Sequence, residues 1–114
     1  MKYKYEKRVL ELQNGKKILL FDLPKEIELV EVLLSSDIQG HDIGIRDAID
    51  DVVRGKEKFK EIVGNVCMLQ IGKYKTIVTD ALADDSVGNA CVIETAELRK
   101  LIDIWLDEVK HFYN

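Results

Sequence analysis

A chain of 114 residues is most simply one domain, 1–114, long enough to bury a single core. An apolar fraction of 46% and a charged fraction of 33%, with one proline and seven glycines, exclude a disordered or linker-rich chain. No apolar run approaches the ~20 residues that cross a bilayer, and no hydrophobic stretch follows Met1–Glu6, so the expectation is a cytoplasmic protein with no membrane partner.

Lys4–Leu12 reads as a strand, and Asn14-Gly15 between apolar segments signals a hairpin whose return strand is Lys16–Asp22. Pro24 ends that strand, because proline lacks a donor for the ladder. Glu26–Leu34 fits either period; its β-branched content and the flanking Pro24 and Ser35-Ser36 favour a strand. Ser35–Gly44 reads as a loop. Ile45, Ala48, Ile49, Val52 and Val53 recur at helical spacing, which predicts a short helix over 45–54 capped by Gly55.

Phe59–Val63 suits an edge strand, since flanking lysines discourage pairing with another chain. Val66–Ile71 and Tyr74–Thr79 suggest an antiparallel pair, and Ala90–Ile93 a last strand after the turn residues Ser86–Asn89. Thr95 suits an N-cap, with Glu97 in the first turn, and Leu98, Leu101, Ile102, Trp105, Val109 and Phe112 make one apolar stripe of a long helix. The sum is an α+β fold: one antiparallel sheet of about five or six strands, a short helix, and a long C-terminal amphipathic helix on one face.

Charge is unevenly placed within the net −4. Residues 1–20 hold six basic groups against two acidic ones, and residues 61–114 hold five against nine. From Asp80 to Glu97 there is no Lys or Arg. A surface of that sign repels a phosphate backbone, which argues against direct nucleic-acid binding. The candidate partner-binding residues are the acids Asp80, Asp84, Asp85, Glu94, Glu97, Asp103 and Asp107. Ile104 and Leu106 lie off the helical stripe and, if exposed, would add an apolar spot beside them.

Catalytic groups are scarce. His41 and His111 read as exposed histidines without an orienting carboxylate. No GxSxG, HExxH, P-loop or GxGxxG is present, and Gly40–Gly44 has neither the lysine nor the strand–helix setting of a phosphate loop. Cys67 and Cys91 sit in apolar runs and read as buried thiols. The expectation is therefore no catalytic residues, no metal, no cofactor and no enzyme activity. A small metal- or ligand-binding domain or enzyme using the Asp80–Asp85 acidic loop is the alternative, since hard cations take several carboxylates, although the spacing is not that of a calcium loop. A homo-oligomeric structural domain is a further one.

The run Gly64-Asn65-Val66-Cys67, Thr76–Asp80, Leu82-Ala83-Asp84, then Cys91–Thr95 and the helix to Phe112, resembles small bacterial immunity proteins of polymorphic or contact-dependent toxin systems. The likeness covers the half of the chain from Gly64 onward and contains no catalytic motif. The resemblance implies a non-catalytic protein that binds a cognate toxin domain. An acid-rich surface would complement the basic cleft of a nucleic-acid-cutting toxin. The implied state is a monomer or weak homodimer.

Overall fold

The structure, a computed structural model, describes residues 1–82 and 89–113. Six strands form two antiparallel sheets. The first pairs β1 (Glu6–Glu11) with β2 (Lys17–Asp22), and the second has the order β3 (Lys60–Val63), β4 (Cys67–Ile71), β5 (Lys75–Asp80), β6 (Ala90–Glu94). Helix α3 (Thr95–Tyr113) follows β6 without a break. The α+β class is as expected, but the strands divide between two sheets where one was expected. The helices α1 (Leu29–Val32) and α3 each touch strands of both sheets, so the helical layer is the surface on which both sheets pack.

Local chemistry accounts for the first hairpin. Gly15 adopts φ +83°, which only glycine takes without strain, Leu12 N–H donates to Lys16 O at 2.8 Å, and Lys16 N–H donates to Asn14 Oδ1 at 2.9 Å. Both faces of β1 are exposed; β2 buries Leu19 and Phe21. Phe21 stacks on Tyr5 at 4.7 Å and meets the Trp105 ring edge-on at 5.0 Å.

Residues 26–34, expected as a strand, are helical. A 3-10 turn (Lys25–Ile27) leads into α1 and then into a π-helical stretch, Leu33–Ile38. Ile27, Val30, Leu34 and Ile38 are all at most 1% exposed, and their spacing of three or four residues is a helical stripe. Burial of that stripe between two sheets outweighs the β-branched propensity of the segment. The expected loop 35–44 is corrected in the same way over its first four residues. Gln39 N–H donates to Leu34 O at 2.8 Å, the five-residue spacing of a π turn.

That π stretch aims Asp37 inward. Asp37 is 6% exposed, and its two carboxylate oxygens accept the Val66 N–H at 2.8 Å and the Cys67 N–H at 2.7 Å. One side chain thereby fixes the β3–β4 turn. The turn residue Gly64 has no room for more: a Cβ there would lie 2.7 Å from Asp37 Oδ2.

Helix α2 (Ile45–Val53) buries Ile45, Ala48, Ile49 and Val52, and Gly55 follows it at φ +84°. The α3 stripe is as predicted: Leu98, Leu101, Ile102, Trp105 and Val109 are buried and Phe112 half-buried. Ile104 and Leu106, which would have formed an apolar spot if exposed, are half-buried against the same core, because the stripe is wider than a two-residue seam. Thr95 is buried, and its hydroxyl is spent elsewhere than on a cap. It donates to Gly72 O at 2.7 Å and lies 2.8 Å from Thr76 Oγ1, welding the start of α3 to the β4–β5 turn. No described helix is long and apolar enough to cross a membrane.

Candidate functional site

The strand register separates the acids that the sequence groups together. Antiparallel pairing sets Asp80 beyond one end of β5–β6, opposite Cys67, and Glu94 at the other end, opposite Lys75. Those ends are ~16 Å apart at 3.3 Å per residue. Asp80 Oδ1 accepts the Leu82 N–H at 3.0 Å. Asp84 and Asp85 lie outside the described residues.

Glu94 and Glu97 do come together, under the segment that precedes β1. The Lys2 ammonium and the Tyr3 hydroxyl both donate to the Glu94 carboxylate, and Lys2 N–H donates to Glu97 Oε1 at 2.9 Å. The hydrogen bond from Lys2, then that from Tyr3, holds the Glu94 carboxyl down at about 2. Asp103 and Asp107 stand one turn apart on α3. Asp103 accepts from Arg99 at 2.6 Å and from Arg46 at 3.2 Å. Arg99 reaches on to Asp50, whose carboxyl its hydrogen bond holds below the usual range, and Arg46 to Asp42 at 2.6 Å, so a ladder of ion pairs joins α2 to α3. Asp107 is 70% exposed, with only His111 beside it at 3.7 Å among the described residues.

The best-formed concavity among the described residues does not contain these acids. A cleft of about 680 Å³ opens between β2, the 39–41 turn and α3, lined among others by Lys16, Gln39, His41, Trp105, Lys110 and Tyr113. Gln39 holds φ +51°, alone among the described non-glycine residues in being positive, and its carbonyl accepts the Trp105 Nε1–H at 2.7 Å. Of the two hydroxyls in its lining, Ser35 donates to Glu31 O at 3.0 Å and Tyr113 accepts the Leu19 N–H at 3.0 Å; neither meets a histidine. No nucleophile–base pair within hydrogen-bond reach lines this cleft among the described residues.

The thiols are inert by environment. Burial first, then the nearby Asp37 and Asp80 charges, push Cys67 up to about 12; burial raises Cys91. Cys67 and Cys91 stand on β4 and β6 with β5 between them, ~10 Å apart across the sheet and beyond disulfide reach. Among the described residues no group of three or more His, Cys, Asp or Glu converges as a metal site.

One large surface has no cover among the described residues. The inner face of the four-stranded sheet carries Leu69, Ile71, Val78 and Ile93 into the core. The opposite face presents two ladder rows, Val63–Met68–Thr79–Ala90 and Glu61–Gln70–Ile77–Val92. Val63 is 70%, Val92 50% and Ile77 38% exposed.

An immunity protein of Bacillus cereus is 44% identical to the chain over 112 residues, which span 98% of this chain and 92% of that relative. This chain is an immunity protein. No family model and no solved structure matches it. The resemblance seen in the second half of the sequence thus extends across the whole chain of the immunity protein, its β1–β2 hairpin included. What the sequence reading missed is the outer sheet row. Its signal was present in adjacent apolar pairs within strands, Ile77-Val78 and Val92-Ile93, where strict alternation forces one member of each pair outward.

Proposed function

We propose that this immunity protein neutralises a cognate toxin domain by binding it one to one and covering its basic site, without turnover. The observation that carries the reading is membership of the immunity proteins over nearly the whole chain. The acidic second half, with nine acids against five bases, supports a basic partner. Asp103 is already bridged to two arginines and Glu94 to Lys2, so these acids are largely neutralised within the chain. Among the described residues Asp107 is the candidate acid left most free to draw in a toxin; the sequence adds the acids of the 80–85 segment, and the partly neutralised Glu94 and Glu97 at the far end of β6 contribute less. Such charges act on the association rate and its salt dependence more than on the final affinity.

The test is stopped-flow association of the purified chain with the toxin domain encoded beside it. Reversing Asp84, Asp85 and Glu94 together to lysine lowers the association rate about tenfold or more at low salt, and the difference shrinks once the Debye length falls to ~3 Å at 1 M salt. An association rate unchanged by the triple reversal overturns the acidic-surface mechanism.

A further inference from the structure

Resting on the toxin-binding reading above, we infer that the outward face of the β3–β4–β5–β6 sheet is the surface on which the toxin docks. The sheet is the larger of the two, and only its inner face meets the helices. Its outer centre is apolar and close to uncharged: Val63, Met68, Ile77, Val92 and Ala90, with Thr79 and Gln70 between them. Charge is confined to the margin, at Glu61 on one edge strand and at the Lys75–Glu94 pair across the other end. An apolar centre inside a polar margin is the anatomy of a binding patch, and a monomer has no folding reason to keep Val63 at 70% exposure.

Area and charge decide between occupants. Three strand spacings by five residues give a face of ~14 by 16 Å, roughly 250–350 Å² with side chains. A second copy seated on it through a two-fold axis would bury about that area per protomer, well below the ~800 Å² per partner of a stable interface. It would also bring two chains of net charge −4 together, acid-rich halves facing. A basic partner gains where a second copy loses. Its footprint takes in Glu61 on the edge strand and runs on beyond the sheet margin, adding area and opposite charge beside the apolar centre. The apolar row holds the complex, and the acids bring it together.

The experiment measures binding of the co-encoded toxin domain to the full chain by surface plasmon resonance. Ile77→Lys and Val92→Lys are made singly and together, with Val9→Lys on the exposed hairpin as control. Far-UV circular dichroism and urea unfolding report the fold of each. The double variant keeps its unfolding midpoint and loses at least about 100-fold in affinity, mostly through faster dissociation, while the control stays within about twofold. Amide shift mapping on the wild-type complex places the largest shifts on β4, β5 and β6. A folded double variant that binds within threefold, or shifts confined to α3, overturns the inference while leaving a toxin-binding immunity protein. Wild-type chain that does not bind the toxin domain overturns both. A wild-type dimer that Ile77→Lys dissociates assigns the face to a second copy and also overturns it.

Discussion

Asp37 is the single side chain on which the β3–β4 turn rests, and removing it has a calculable cost. Its carboxylate satisfies two backbone N–H groups, that of Cys67 fully buried and that of Val66 partly so. A buried donor left unpaired costs about 1–3 kcal/mol, and the partly buried one about half as much. Asp37→Ala then costs about 1.5–4.5 kcal/mol, a large part of the ~6–15 kcal/mol that holds a domain of this size. At a urea slope of about 2 kcal/mol/M the unfolding midpoint falls by about 0.8–2.2 M. Asp37→Asn keeps one acceptor and turns an N–H toward the other donor, so it recovers little of this loss.

Gly64 supplies the internal control. A Cβ at Gly64 would stand 2.7 Å from Asp37 Oδ2 and 2.8 Å from its Cγ, so Gly64→Ala is destabilising by about 1–3 kcal/mol in the wild-type background. The clashing atoms disappear in Asp37→Ala, and the alanine costs less there. A double-mutant cycle by urea denaturation therefore shows a favourable coupling of about 1–2 kcal/mol. Asp37→Ala within 0.5 kcal/mol of wild type, or strict additivity with Gly64→Ala, refutes the assignment of Asp37 as the clamp.

Two further predictions concern titration and reactivity. Glu94 is held at about 2 against an ordinary 4.5, so its tie to Lys2 and Tyr3 is in force above the ordinary carboxylate range and is lost as pH falls from about 4.5 toward 2. Tyr3 ring resonances of the folded chain, followed by NMR, move as pH falls through about 2, and Glu94→Gln removes the transition; an unchanged transition in the variant assigns it to another group. Cys67, pushed up to about 12 and 1% exposed, resists an aromatic disulfide reagent at pH 8 until the chain unfolds, so labelling should track the urea transition. Prompt labelling of native Cys67 contradicts its burial.

Elements whose signals are local were legible in the sequence. The Asn14-Gly15 turn, the α2 spacing, the strand pairs from Val66 to Ile93 and the α3 stripe each depend on neighbours within a few residues. Residues 26–38 were not legible, because a short apolar run satisfies both periods until something covers it. Two sheets cover it here, and Ile27, Val30, Leu34 and Ile38 turn inward as one helical stripe. The state of the candidate binding acids was only half legible. The sequence counts charges but cannot see that Lys2 closes on Glu94 or that Arg46 and Arg99 share Asp103.

By composition, period and turn chemistry alone, the chain commits to an α+β fold with an acidic second half and with none of the familiar catalytic motifs. Tertiary structure decided the division into two sheets, the helical state of 26–38, the separation of Asp80 from Glu94 and the bare outer row of the larger sheet. The reason is physical: periodicity and capping are properties of a few consecutive residues, whereas strand order, ion-pair partners and uncovered faces are set by contacts between residues tens of positions apart. A sequence states which groups exist; only the packed chain states which of them remain free to meet a partner.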